Sequence, residues 1–84
     1  MPALAPRESG AQEVALRSQV QAMQESVRRR MLRLNEAQLS PTEHKTLDDA
    51  RTFLAQSIRA LQGGDLQRAL NLSRKASLLV SALE

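Results

Sequence analysis

The stretch Arg59–Leu70, RALQGGDLQRAL, decides the fold of this chain. Apolar residues recur at helical spacing up to Gly63, stop at the two glycines, and resume in nearly the same lettering after Asp65. Glycine is poor inside a helix and takes the left-handed cap conformation without steric cost. An aspartate just after such a corner can accept hydrogen bonds from the free amides of a new helix. The stretch therefore predicts an αα-hairpin, two helices joined by a tight corner.

The residues on either side extend both helices. The helix before the corner is predicted over about 41–62, because Ser40, Pro41 and Glu43 give a capping box with proline at the first helical position. Its apolar face consists of Leu47, Ala50, Leu54, Ile58 and Leu61, with Phe53 and Ser57 along the edge. The helix after the corner is predicted over about 65–83. Its broad apolar arc consists of Leu66, Ala69, Leu72, Ala76, Leu79, Val80 and Leu83, with Leu70 and Leu78 beyond it.

A third helix is predicted upstream, over about 9–38. Before it, residues 1–8 contain two prolines and are expected to form a flexible lead-in. The stripe of this helix consists of Leu16, Val20, Met23, Val27, Met31 and Leu34. At about 45 Å it exceeds its two partners, each roughly 30 Å long, so residues 9–17 are expected to overhang. Three helices joined by short corners pack as antiparallel neighbours. The expected fold is all-α, an antiparallel three-helix bundle forming one domain over 9–84, with a long first helix and a C-terminal αα-hairpin.

Composition argues against an enzyme. The 84 residues include no cysteine, which excludes disulfides, thiolate catalysis and cysteine-based zinc sites. His44 is the only histidine, with Asp48 as its one obvious companion, and a metal site needs more ligands. Asp48 and Asp49 are adjacent, so on a helix they point about 100° apart and cannot serve one cleft as an acid and base pair. We therefore expect no enzymatic activity, no cofactor, no metal and no small-molecule substrate.

The chain carries no segment that predicts membrane insertion or export. Its longest nearly apolar run, over 76–83, is too short for a bilayer and is interrupted by two serines. The first residues lack the basic head, apolar centre and cleavage pattern of a secretion signal. A cytoplasmic location is the default expectation, with an envelope location as the alternative if the chain is part of a longer protein.

Around the double-glycine corner, the 30 residues ARTFLAQSIRALQGGDLQRALNLSRKASLL resemble a single tetratricopeptide-type helical hairpin. The matching positions are Phe53, Ser57, Gly64, Asp65, Ala69 and Ala76, and the departures are Gln56, Ser73 and Ser81. The hairpin occurs once in the chain, whereas repeats of this kind normally stack in arrays. The resemblance implies a module that binds protein or peptide partners.

Burial of apolar helix faces is accordingly the predicted function: a non-enzymatic module for protein–protein interaction or self-assembly. Its expected partner is another protein or a second copy of the chain, giving a homo-oligomer. The overhang of the first helix and the outer part of the third are expected to carry the contact. The predicted partner-binding residues are Val14, Leu16, Val20, Met23, Val27, Leu79, Val80 and Leu83.

A basic cluster provides the alternative function. The net charge is +3, and Arg28, Arg29, Arg30 and Arg33 fall within two helical turns. Consecutive residues fan around a helix, but Arg29, Arg30 and Arg33 share a broad side and are a possible contact for phosphate. No tyrosine or tryptophan is available to stack on bases. The alternative is thus a small basic bundle that binds nucleic acid through these three arginines.

Overall fold

The computed structural model describes the backbone of residues 4–84 and the side chains of residues 10–84. Three α-helices make up almost all of this range: α1 (Leu4–Leu32), α2 (Pro41–Gln62) and α3 (Leu66–Ser81). A short 3₁₀ helix (Glu36–Gln38) lies between α1 and α2, and residues 4–84 contain no strand. The predicted all-α three-helix bundle with a long first helix is confirmed.

The bounds of α1 differ most from the prediction. Of the lead-in predicted over 1–8, residues 1–3 lie outside the described residues, and the backbone is already helical from Leu4. At its other end the helix stops at Leu32, six residues before Gln38. Asn35 explains the early stop, because its side chain accepts a hydrogen bond from the backbone N–H of Ala37 and so caps the 3₁₀ helix. Asparagine often competes in this way with continuation of a helix.

The start of α2 follows the predicted capping box. The Ser40 Oγ accepts from the Glu43 N–H at 3.1 Å, and the Ser40 N–H donates to the Glu43 Oε1 at 2.8 Å. The hydrogen bond from the Ser40 N–H, with a smaller contribution from the Ser40 hydroxyl, lowers the pKa of the Glu43 carboxyl group. Two amides that would otherwise lack a partner are thereby satisfied, which fixes the first residue of the helix.

The corner between α2 and α3 is closed by three successive residues. Gly64 has a φ of +81°, in the left-handed region, while Gly63 has an ordinary φ of −83°. The Asp65 N–H donates to the Ala60 carbonyl at 2.9 Å and the Gly64 N–H to the Leu61 carbonyl at 3.1 Å, a Schellman motif. The Asp65 carboxylate then accepts from the Arg68 N–H at 3.2 Å. Asp65 therefore ends α2 with its backbone and caps α3 with its side chain.

Two clusters of buried side chains form the core. The corner cluster, near Gly63–Gly64, consists of Val20, Leu61, Ala69 and Leu70. The far cluster, at the opposite end of the hairpin, consists of Val27, Ala50, Leu54, Ala76 and Val80. Residue numbers rise from the corner cluster to the far cluster in α1 and α3 and fall in α2. The order is up, down, up: α2 is antiparallel to both neighbours, and α1 and α3 are parallel.

Ser57, which is fully buried, links all three helices. Its hydroxyl donates to the Ala69 carbonyl of α3 at 2.6 Å and accepts from the Gln24 side-chain amide of α1 at 2.9 Å. On α3 the buried Ser73 hydroxyl donates to the Leu70 carbonyl at 2.8 Å. In the described part of the chain, every buried side-chain nitrogen or oxygen has a hydrogen-bond partner. Small buried residues on facing helices, Ser57 and Ala69 among them, leave little space for larger side chains between α2 and α3.

Gly64→Ala is expected to lower the free energy of unfolding by about 1–2 kcal/mol, because a left-handed φ forces the added Cβ toward the following carbonyl. Gly63→Ala is the matched control. The Cβ added there lies 3.6 Å from the Arg59 carbonyl oxygen, an ordinary contact, and the φ suits any residue. Urea unfolding followed by circular dichroism measures both variants. Equal destabilisation by the two substitutions would contradict the corner geometry.

Ser57→Leu is expected to lower the free energy of unfolding by about 1–3 kcal/mol, because the site between α2 and α3 has no space for the added carbons. Ser57→Ala removes only the two hydrogen bonds and is expected to cost about 1 kcal/mol. Ala55→Leu, at an exposed position of α2, controls for added hydrophobic surface. A Ser57→Leu variant as stable as the wild type in urea titrations would show that the helices are not closely packed here.

Candidate functional site

The first helix extends well beyond the other two. Its 29 residues measure about 43 Å, against about 33 Å for the 22 residues of α2. The Cα atoms accordingly span 59 × 17 × 16 Å. Residues 10–19, here called the projecting segment, have exposed side chains except for the half-buried Leu16, which packs against the corner cluster. The predicted overhang is therefore present, and no other helix of the bundle covers most of it.

Three predicted partner-binding residues lie in the core instead. Val20, Val27 and Val80 have no exposed surface and pack inside the corner and far clusters. This corrects their assignment to a partner contact, since the α1 stripe to which the two valines belong faces α2 and α3 of the same chain. A side chain with no exposed surface cannot meet a second protein while the bundle is intact.

The other five predicted residues keep some exposed surface. Leu16, Met23, Leu79 and Leu83 are half-buried, and Leu79 packs against the far cluster. Val14, on the projecting segment, is 66% exposed. Three further apolar side chains were not predicted as contact residues: Leu32 (80% exposed), Leu78 (72%) and Ile58 (40%). Leu78 lies outside the apolar arc of its helix, a signal that was visible in the sequence, whereas Ile58 was predicted to be core.

The arginine cluster is divided by the fold. Arg30 turns toward α3, where its guanidinium donates to the Glu84 carboxylate at 2.7 Å and to the hydroxyls of Ser77 and Ser81 at 2.8 and 2.7 Å. The hydrogen bonds that Arg30 donates to the Glu84 carboxylate raise the pKa of Arg30 and lower the pKa of Glu84. Only 19% of the Arg30 side chain is exposed. Arg29 and Arg33 are exposed, but the predicted three-arginine contact for phosphate is not formed as one patch.

A groove runs along the outer side of the α2–α3 hairpin, with a volume of about 570 Å³. We call it the hairpin groove. Phe53 and Leu72 supply its apolar part, and the Lys75 ammonium lies 5.7 Å from the centre of the Phe53 ring. Arg68 lines the groove and a smaller adjoining depression that also includes Arg59. Sequence reasoning missed this surface because its residues are spread over both helices.

The titratable residues weighed for catalysis lie in ordinary helical settings. His44 is half-buried in the first turn of α2. Asp48 pairs with Arg51 at 3.4 Å and Asp49 with Lys45 at 3.6 Å. Among the residues that the structure describes, no three histidine, cysteine or acidic side chains are grouped so that they could hold a metal. Within the same range, no helix combines the length and hydropathy that crossing a bilayer requires.

Comparisons with protein families, with curated proteins and with solved structures found no match to the chain. The resemblance to a tetratricopeptide-type hairpin therefore stays a prediction, resting on the residues around the double-glycine corner. Any function has to be argued from the surfaces described above.

Glu84→Gln is expected to lower the urea midpoint at neutral pH, because it removes the charged partner of Arg30. A carboxyl group whose pKa is lowered in the folded state stabilises the fold above its unfolded pKa, about 4.3, and this contribution disappears as the pH falls through the folded pKa. The difference between variant and wild type should therefore vanish in strong acid. Glu25→Gln is the control, because it removes an exposed ion pair with Arg28 that lies within one turn of α1 and joins no two helices. A difference that is independent of pH would contradict the ion pair.

Proposed function

We propose that the protein is a non-enzymatic interaction module that self-associates by burying the projecting segment of α1 against a second copy. The observation that carries this proposal is the length of α1 beyond the bundle. An isolated helical segment of this length gains little stability from its own hydrogen bonds, and helices in proteins depend mainly on packing. A second helix laid along the segment supplies that packing.

The residues around Val14 suit the close approach of another helix. Three of its four neighbours one turn away, Gly10, Ala11 and Ser18, are small and exposed, and the fourth is the exposed Arg17. Contact on the side of the three small residues would bury the exposed part of Val14. The half-buried Leu16 adds apolar surface near the junction with the bundle.

The charges of the segment favour a second copy over an unrelated helix. Glu13 and Arg17 are exposed, and neither has an ion-pair partner among the described residues. If two copies pair antiparallel about a two-fold axis near Ala15, Glu13 of each copy lies level with Arg17 of the other. Such an isologous contact is the commonest arrangement of soluble homo-oligomers. Nucleic-acid binding is not proposed, because Arg30 is held by Glu84 and α3.

Val14→Asp is expected to convert the assembly to a monomer, because it places a charge at the centre of the apolar contact. The mass in solution, followed by light scattering over a range of protein concentrations, measures this. Ala55→Asp is the matched control: it introduces the same charge on an exposed residue of α2 and should leave the mass unchanged.

Val14→Asp could also act by fraying the helix, so Val14→Leu is the second variant. Leucine is a better helix former than valine and adds apolar surface to the contact. It is expected to strengthen self-association. A wild-type chain that stays monomeric at all concentrations, or a Val14→Asp variant that keeps the oligomeric mass, would overturn the proposal.

A further inference from the structure

Among residues 10–84, nearly all the acidic side chains form ion pairs or hydrogen bonds with other residues of the same chain. Five acidic residues form ion pairs with four basic residues. The pairs are Glu25 with Arg28, Glu84 with Arg30, Asp49 with Lys45, and both Glu36 and Asp48 with Arg51. The carboxylates of Glu43 and Asp65 accept hydrogen bonds from backbone N–H groups at the N-termini of α2 and α3, respectively. Within the described residues this leaves only Glu13 without a partner. The net positive charge of the chain therefore resides on cations that have no acidic partner of their own.

Three of these cations lie together on the outer side of the hairpin. Arg68 and Lys75, two turns apart on α3, line the hairpin groove, and Arg59 lines the adjoining depression. All three are exposed, and none takes part in an ion pair of the described chain. The one acidic residue of the groove is Asp65, whose carboxylate already accepts from the Arg68 N–H. The Asp65 carboxylate keeps its negative charge, so three cations and one acid leave the groove and its adjoining depression with a net charge of +2.

The surface between these cations is suited to a peptide. The half-buried Phe53, together with the small exposed part of Leu72, offers an apolar site for one side chain of a ligand. Gln56 and Asn71 line the same groove, and their amides can both donate to and accept from a peptide backbone. Phe53 is the only aromatic residue in the sequence, so the groove offers no succession of rings on which nucleic-acid bases could stack. An acidic peptide with an apolar side chain fits this combination better than a regular phosphate backbone does.

We propose that the hairpin groove binds an acidic segment of a partner protein, with an apolar side chain of that segment seated on Phe53 and Leu72 and carboxylates paired with Arg59, Arg68 and Lys75. This names a class of partner for the interaction module proposed above and so rests on that function. The self-association proposal and the groove proposal can be refuted independently, because self-association is measured as the mass in solution and groove binding by titration. A chain that remains monomeric and still binds the peptide would leave the groove assignment standing.

The test is a titration of the full isotope-labelled chain with a synthetic peptide that carries aspartates and glutamates on both sides of a central leucine. The backbone amide signals of the groove, over 53–60 and 65–75, are expected to shift in a saturable way. The same peptide with asparagine and glutamine in place of its acids, and one with serine in place of leucine, should each bind more weakly. Equal binding of all three peptides would overturn the proposal.

The matched variants remove three charges each. Arg59→Gln, Arg68→Gln and Lys75→Gln together are expected to weaken peptide binding by about tenfold, given the usual strength of three exposed ion pairs. Arg28→Gln, Arg29→Gln and Arg33→Gln together change the net charge equally, on α1 and directly after it, and should have little effect. Circular dichroism confirms that both variants fold. Equal losses in the two variants, shifts located on α1, or tighter binding of a single-stranded oligonucleotide to the groove would each contradict the assignment.

Discussion

The close contact between α2 and α3 at Ser57 is the constraint on which the rest of the structure depends. The hydroxyl is fully buried and bonded to the Ala69 carbonyl, so the two helices of the hairpin approach closely at this level. The same hydroxyl accepts from Gln24, which fixes the position of α1 along the hairpin. With that register set, Val20 and Val27 fall into the two core clusters, and the part of α1 before Leu16 extends past the Gly63–Gly64 corner.

This arrangement also determines which surfaces are left for other molecules. Since α1 packs on one side of the hairpin, the opposite side stays open, with Phe53 only half-buried and cations around it. Of the described acidic residues, Asp65 lines the groove and Glu13 has no ion-pair partner, and the others are held in ion pairs or in the Ser40 cap elsewhere. The position of α1 along the hairpin thus leaves two separate surfaces exposed. One is the apolar surface of the projecting segment, and the other is the positively charged hairpin groove. We infer that the first suits a second copy and the second an acidic partner.

Local signals in the sequence were enough to predict the helices. Ser40, Glu43, Gly64 and Asp65 each act through residues within a few positions, and the structure forms the caps that their spacing indicates. The end of α1 was predicted too late because Asn35 competes with a periodic pattern that continues through Leu34. That competition depends on how the side chain of Asn35 bonds to the backbone, which periodicity does not register.

The candidate surfaces were less accessible from the sequence. A 3.6-residue period shows that Val20 and Val27 are covered, but it does not show whether the covering helix belongs to the same chain. Likewise, Arg30 meets Glu84 across 54 positions, and Arg59 and Lys75 come together only once the hairpin has closed. Contacts of this kind depend on the register of packing between helices, which the sequence pattern leaves open.

Amide hydrogen exchange, compared between dilute and concentrated protein, tests the central claim most directly. The account predicts that amides 10–19 exchange quickly in dilute solution and become protected as concentration rises, while the amides of the core in α2 and α3 are protected throughout. Rapid exchange of residues 10–19 at every concentration, with a well-protected core, would contradict the claim that a second copy covers the projecting segment.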